Sequence, residues 1–259
     1  MNQPIGIIDS GIGGLSITST LIKKLPKESF IYLADSKNCP YGEKPSEEIH
    51  RLTKIMVDFL LKKDIKLLVI ACNTITVTCI DRLRKDYPNL PIIGIVPVIK
   101  TAVEKTKNKK IGIFSTLVTA KSKYQKDLIN NFANDCSVLN LGSERLVPLI
   151  ERRDFESVGE VLKTELKPFK KAQIDTLALG CSHFPLIKKQ MQKYLPNVLI
   201  LDSSEAVARQ VERILRKENL LSKSTISSYN FFTTGDLQAL SYFAEKLTNK
   251  AKLSRISLQ

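Results

Sequence analysis

The 259-residue sequence predicts an α/β protein of two similar lobes, each a parallel-rich sheet flanked by helices, the two related by pseudo-twofold symmetry. Two observations carry this. Short apolar runs alternate along the chain with stretches of helical period, the pattern of parallel strands joined by covering helices. The chain also repeats itself. Ile5-Gly6-Ile7-Ile8-Asp9-Ser10 matches Ile111-Gly112-Ile113-Phe114-Ser115-Thr116 at an offset of 106 (111 − 5), and Ile65 to Cys72 matches Ile174 to Cys181 at an offset of 109 (174 − 65). The two pieces keep their order, with 67 residues from first strand to cysteine in one half (72 − 5) and 70 in the other (181 − 111).

In order, the predicted strands of the first lobe are Ile5 to Ile8, Phe30 to Leu33, Leu67 to Ile70 and Ile92 to Val96. A helix from Ser46 to Lys62 lies between the second and third. Its apolar stripe is Ile49, Leu52, Ile55, Met56, Phe59 and Leu60, behind the polar start Pro45-Ser46-Glu47-Glu48. The second lobe continues with strands at Ile111 to Phe114, Val138 to Leu141, Thr176 to Leu179 and Val198 to Leu201. A helix at Ser157 to Lys167 carries Val158, Val161, Leu162 and Leu166 on one face. No Gly/Ser-rich linker intervenes, so the join, placed near Pro97, should be tight. The expected lobes are residues 1–97 with 208–259, and residues 98–207, with the active site in the cleft between them.

Composition narrows the class. With 43% hydrophobic and 25% charged residues, the chain can build a core, which excludes disorder and fibre. The longest apolar runs, Leu67 to Cys72 and Ile92 to Ile99, fall short of the ~20 residues of a membrane span. The start Met1-Asn2-Gln3-Pro4 carries no basic segment or small-residue cleavage site, and a cytoplasmic protein is expected. Five cysteines is an odd number, so reduced thiols are expected rather than a disulfide framework. No Cys-x-x-Cys pair and only two histidines argue against a structural zinc site. The net charge of +14 raises the question of nucleic acid. The lysines are dispersed, however, and the densest run, Lys105-Thr106-Lys107-Asn108-Lys109-Lys110, has no interleaved aromatics, so a solvated basic surface is the expectation.

In open parallel sheets functional groups gather beyond the carboxyl ends of the strands. That rule selects Asp9-Ser10-Gly11, Asp35 with the loop to Gly42, Ala71-Cys72-Asn73-Thr74, Thr116 to Thr119 and Gly180-Cys181-Ser182-His183. Cys72 and Cys181 occupy equivalent strand ends, each expected close to the start of the next helix, where partial positive charge favours a thiolate. Cys39, Cys79 and Cys136 read as small core residues, and His50 as part of a solvated helix face. The turn Asp9-Ser10-Gly11-Ile12-Gly13-Gly14 imitates a dinucleotide fingerprint, but its third glycine would fall on Ser16 and Asp9 would stand beside the pyrophosphate. Its glycines more simply let the backbone turn sharply and approach a small ligand. Two bases facing each other across one carbon can remove a proton from one face and return one to the other, inverting a stereocentre. A racemase or epimerase follows, without a cofactor and without a metal.

The motifs Asp9-Ser10-Gly11-Ile12-Gly13-Gly14-Leu15, Cys39-Pro40-Tyr41-Gly42, Ala71-Cys72-Asn73-Thr74, Gly94-Ile95-Val96-Pro97, Gly180-Cys181-Ser182-His183-Phe184-Pro185 and Thr233-Thr234-Gly235-Asp236 span nearly the whole chain. Together they resemble the cofactor-independent glutamate racemases of bacterial cell-wall synthesis. The resemblance implies interconversion of L- and D-glutamate without pyridoxal phosphate, D-glutamate being a peptidoglycan precursor. Carried over by motif, Cys181 acts on the α-proton of L-glutamate and Cys72 on that of D-glutamate. Asp9 and His183 assist proton transfer, with Glu151, in Leu146-Val147-Pro148-Leu149-Ile150-Glu151, as the acidic partner of the histidine. Asp9, Ser10, Tyr41, Gly42, Asn73, Thr74, Thr116, Thr119, Ser182 and His183 are the implied substrate-binding positions. The resemblance also implies that the C-terminal segment returns to the first lobe. Two departures stand out: Ser182 where the family more often has Thr, and Thr116-Leu117-Val118-Thr119 without the glycine commonly found between the threonines. The expected partner is the small-molecule substrate, with no membrane and no nucleic acid; a homodimer stays open. The rival readings are a racemase of another amino acid such as aspartate and, in a different class, a basic DNA- or DNA-enzyme-binding protein.

Overall fold

A computed structural model of the chain describes residues 3–95 and 98–258. These fall into two compact units, one holding the chain up to Ile95 and again from Ser204, the other holding the segment between. The connection at Pro97 and the end of the expected fourth strand, Val96, lie outside the described residues.

The first unit opens with β1 (Ile5–Asp9), α1 (Leu15–Lys24), β2 (Phe30–Ala34), α2 (Ser46–Leu61), β3 (Leu67–Ile70), α3 (Asn73–Asp86) and β4 (Ile92–Ile93). Every residue of β1, β2 and β3 is buried, as strands covered on both faces require. In α2, Glu47 and Glu48 occupy the first turn, where a carboxylate opposes the helix dipole, and Ile49, Leu52, Met56 and Leu60 are buried. They share one core with Ile8, Leu33, Ile70 and Cys72. The fourth strand is shorter than expected, because Gly94 and Ile95 leave the ladder. A side chain at position 94 would collide with Ile80 and Thr76 of α3, while Ile95 gives its N–H to the Thr76 hydroxyl.

The second unit runs α4 (Val98–Lys105), β5 (Lys110–Thr116), α5 (Leu117–Lys121), α6 (Lys123–Phe132), β6 (Ser137–Ser143), α7 (Leu146–Glu151), α8 (Phe155–Glu165), α9 (Lys167–Lys171), β7 (Thr176–Gly180), α10 (Lys188–Tyr194) and β8 (Leu199–Leu201). The helix expected at Ser157 to Lys167 starts two residues earlier, at an Asp154 cap whose carboxylate accepts from the Ser157 N–H. Pro168 opens a separate α9, the position at which proline's missing N–H is tolerated.

The chain then returns to the first unit as α11 (Ser204–Lys217), β9 (Tyr229–Thr233), α12 (Leu237–Ala244) and β10 (Ala251–Arg255). The first sheet has the order β10-β9-β2-β1-β3-β4 and the second β6-β5-β7-β8, with every recorded pairing parallel. The orders β2-β1-β3-β4 and β6-β5-β7-β8 are the same topology twice, and the internally repeated segments fall on equivalent strands, β1 with β5 and β3 with β7. A buried ion pair fastens the returning chain: the Lys66 ammonium donates to Glu28 and to the Leu220 carbonyl, and Glu28 accepts from the Ser222 N–H at 2.7 Å. Both side chains are at most 5% exposed.

Candidate active site

In the first unit, β1 and β3 run side by side with Ile8 opposite Ile70, so Asp9-Ser10 and Ala71-Cys72 leave the sheet together at its carboxyl edge. The Ser10 hydroxyl lies 3.5 Å from the Cys72 sulfur and 3.2 Å from Asp9 Oδ1, which also accepts from the Gly11 N–H at 3.3 Å. Asp9, Ser10 and Cys72 are all buried. Cys72 is the N-cap of α3, and the first turn of that helix supplies Asn73 and Thr74. The expected thiol at a helix start is realised here. The turn's glycines work through space rather than through unusual backbone, since among the described residues no glycine has a positive φ. A Cβ on Gly14 would come within 2.7 Å of Asp9 Oδ2 and 2.8 Å of the Ala71 side chain.

Tyr41 is buried in the same core as Cys72, and its hydroxyl donates to Asp35 Oδ2 at 2.6 Å. Burial raises the hydroxyl far above its ordinary value, and the Asp35 charge and hydrogen bond push it further, so the phenol stays protonated. Asp35 is 1% exposed and also accepts from the Thr234 hydroxyl at 2.7 Å and from the Asn38 amide. Asp35 and Thr234 were missing from the expected site residues, yet they seat Tyr41 and its neighbour Gly42. The strand-end rule points to Asp35, and the motif Thr233-Thr234-Gly235-Asp236 contains its partner, but their pairing depends on β9 lying beside β2.

In the second unit β5 and β7 repeat the arrangement, with Ser115 opposite Gly180, so Thr116 and Cys181 follow adjacent strand ends. The Thr116 hydroxyl donates to Thr119 Oγ1 at 3.0 Å and caps α5, accepting from the Thr119 N–H. Thus Thr116-Leu117-Val118-Thr119 closes a helical turn without the missing glycine. Cys181 is 5% exposed, but it departs from the expected setting: Ser182 and His183 form a turn, a short 3-10 helix follows at Phe184–Ile187, and α10 starts only at Lys188. The polar neighbour here is His183, 1% exposed, whose Nε2 lies 2.6 Å from Glu151 Oε1 at the end of α7. A carboxylate at Nε2 holds the ring proton there and leaves Nδ1 as an acceptor, with the Ser182 hydroxyl 3.5 Å away.

Three readings of individual residues need correction. His50 is buried, not solvated, because its Nε2 meets Asp86 at the end of α3 at 2.8 Å. Cys39 and Cys136 are only half-buried, and Cys136 contacts the Asp135 carboxylate, whereas Cys79 is a core residue as expected.

Each unit therefore carries a buried cysteine at the end of the strand next to its first, with hydroxyl and carboxylate or imidazole groups around it. A thiol centre repeated in each unit fits the isomerase class that the sequence predicts. The chain belongs to the Asp/Glu/Hydantoin racemase family, whose model matches residues 5–211. It is similar to the glutamate racemase of Clostridium acetobutylicum, 42% identical over 222 residues, which is 85% of this chain and 87% of that one. Among solved structures it resembles a glutamate racemase isoform of Bacillus anthracis (TM-score 0.88, 33% identity, covering 99% of this chain and 98% of that one). It also resembles the Escherichia coli glutamate racemase solved with L-glutamate and the activator UDP-MurNAc-Ala (TM-score 0.88, 30% identity, covering 99% of each chain). Among the described residues no helix is long and apolar enough to cross a membrane.

Proposed function

We propose that the protein is a glutamate racemase, interconverting L- and D-glutamate and so supplying D-glutamate for peptidoglycan. The observation that carries this is the cysteine at the same strand end of each unit, in a chain whose relatives at 35% to 42% identity are glutamate racemases. In this reading the Cys181 thiolate removes the α-proton of L-glutamate, and the Cys72 thiol delivers a proton to the opposite face. After turnover the protonation states are exchanged, and D-glutamate reacts in the reverse sense. Thiolates are weak bases for an amino-acid α-proton, so the carbanion must be stabilised as it forms by preorganised donors and by exclusion of water. Ser10, Asn73 and Thr74 are suited to that task on one side, and Thr116, Thr119 and Ser182 on the other. Asp9 beside Ser10, and His183 backed by Glu151, would tune proton transfer at their cysteines. The thiols require a reducing compartment, and five free cysteines support a cytoplasmic place of action.

Aspartate is the competing substrate, one methylene shorter. The test is circular dichroism of the purified protein with L-glutamate and, separately, L-aspartate. Loss of the glutamate signal to zero is the expected result, with aspartate unchanged; the reverse preference would replace glutamate by aspartate in this reading.

A further inference from the structure

A cavity of about 570 Å³ opens within the first unit, beyond the carboxyl ends of β2, β9 and β10 and against α2. That volume lies in the range of small-molecule sites. None of the residues assigned to substrate lines it. Lys37, Arg51 and Arg255 reach it from three different elements, and all three are exposed. Among the described residues, none of their charged groups has a hydrogen bond or an ion pair. Two other surface arginines are paired with carboxylates: Arg82 grips Glu47 with two hydrogen bonds, and Arg216 does the same with Glu212.

Among the described residues the only carboxylate in the wall is Asp35, and its oxygens are already held by Tyr41, Thr234 and Asn38. Three cations against one internally bonded carboxylate leave the described lining with a net charge of +2 (3 − 1). Leu52, Ile55, Ile256 and Leu258 add apolar groups to the lining. Convergent cations cost repulsion, which a bound anion relieves, and the planar guanidinium matches phosphate and carboxylate oxygens two at a time.

We propose that this cavity, floored by Asp35 and Thr234, binds a small, multiply charged anion bearing phosphate or carboxylate groups on an apolar body. The site is separate from that of the substrate and touches it only through Asp35, whose other face holds Tyr41.

Isothermal titration calorimetry of the full-length protein at a fixed salt of about 0.15 M, where long-range attraction is screened, tests it with two probes, inorganic pyrophosphate and citrate. Binding of at least one probe is expected, and the tighter of the two identifies the anionic group. The double variant Arg51→Gln/Arg255→Gln should lose about tenfold or more in affinity, the scale of a removed bidentate pair. Lys163→Gln/Lys193→Gln, an equal loss of charge at exposed positions elsewhere, should bind like the parent. Failure of both probes to bind, or equal weakening in the two double variants, would overturn the proposal by reducing the cavity to ordinary basic surface.

Discussion

The proposed mechanism gives Cys72 and Cys181 opposite faces of the same substrate, an asymmetry that can be measured. Serine is a far weaker acid than cysteine, so Cys72→Ser and Cys181→Ser should each lose racemisation by several orders of magnitude. A substrate analogue with a leaving group on the β-carbon needs only one deprotonation to eliminate. Cys72→Ser should therefore still process the L-analogue, and Cys181→Ser the D-analogue, as followed by release of the leaving group; equal loss of both enantiomers in each variant would break the assignment of one base per face. Cys79 supplies the contrast. Burial raises its thiol from 9.0 to about 11, against smaller opposing effects of Thr53 and Arg82. Unfolding therefore releases its proton between these values, so its contribution to stability is complete below pH 9 and is lost as the pH climbs to 11. Cys79→Ala should keep full racemase activity and lose about 2 kcal/mol less stability over that interval, by urea titration at each pH. At this scale the sequence exposed the strand-end residues well, because their position follows from local pattern. It hid the long-range partners of His50 and Asp35, which are Asp86 and Thr234, 36 and 199 residues away. The spacing of His50, Thr53 and Val57 along α2, all buried, is the local sign that this face is covered.

β9 and β10 show how an element escapes a reading based on apolar runs. Tyr229–Thr233 alternates buried and half-buried positions, and Ala251–Arg255 has no fully buried residue. What makes them strands is pairing, β9 to β2 and β10 to β9, with Phe231 set edge-on to Tyr32 at 5.8 Å between ring centres. The central strands were legible because both of their faces are covered and their residues are uniformly apolar. The turn after β9 also controls the site. A Cβ at Gly235 would lie 2.6 Å from the Ser36 Cβ and 3.1 Å from its backbone carbon, so any side chain there displaces the segment that begins at Asp35. Gly235→Ala should raise KM for glutamate several-fold while the protein remains folded by far-ultraviolet circular dichroism. An unchanged KM would mean that the Asp35–Tyr41 link does not influence substrate binding.

For the molecule as a whole, the duplication into two similar lobes was readable from two short matching segments, each of which falls on a central strand. The charge of +14 is a global property of a different kind. Its lysines are dispersed, so binding to duplex DNA should be weak, independent of base sequence, and largely gone between about 50 and 200 mM salt in a fluorescence anisotropy titration. Tight sequence-selective binding at the upper end of that range would revive the nucleic-acid reading. The return of the chain to its first unit also sets a timetable for biosynthesis. β2 receives its outer neighbour β9 only after 195 further residues (229 − 34) have been added. A ribosome moving at 5–20 residues per second takes roughly 10–40 s over that distance. During this interval the second unit, an uninterrupted segment, emerges whole, while Phe30–Ala34 waits with a bare backbone edge. Nascent chains stalled before Tyr229 should therefore be the species that engage chaperones most strongly, and those stalled after Arg255 has cleared the exit tunnel should be released.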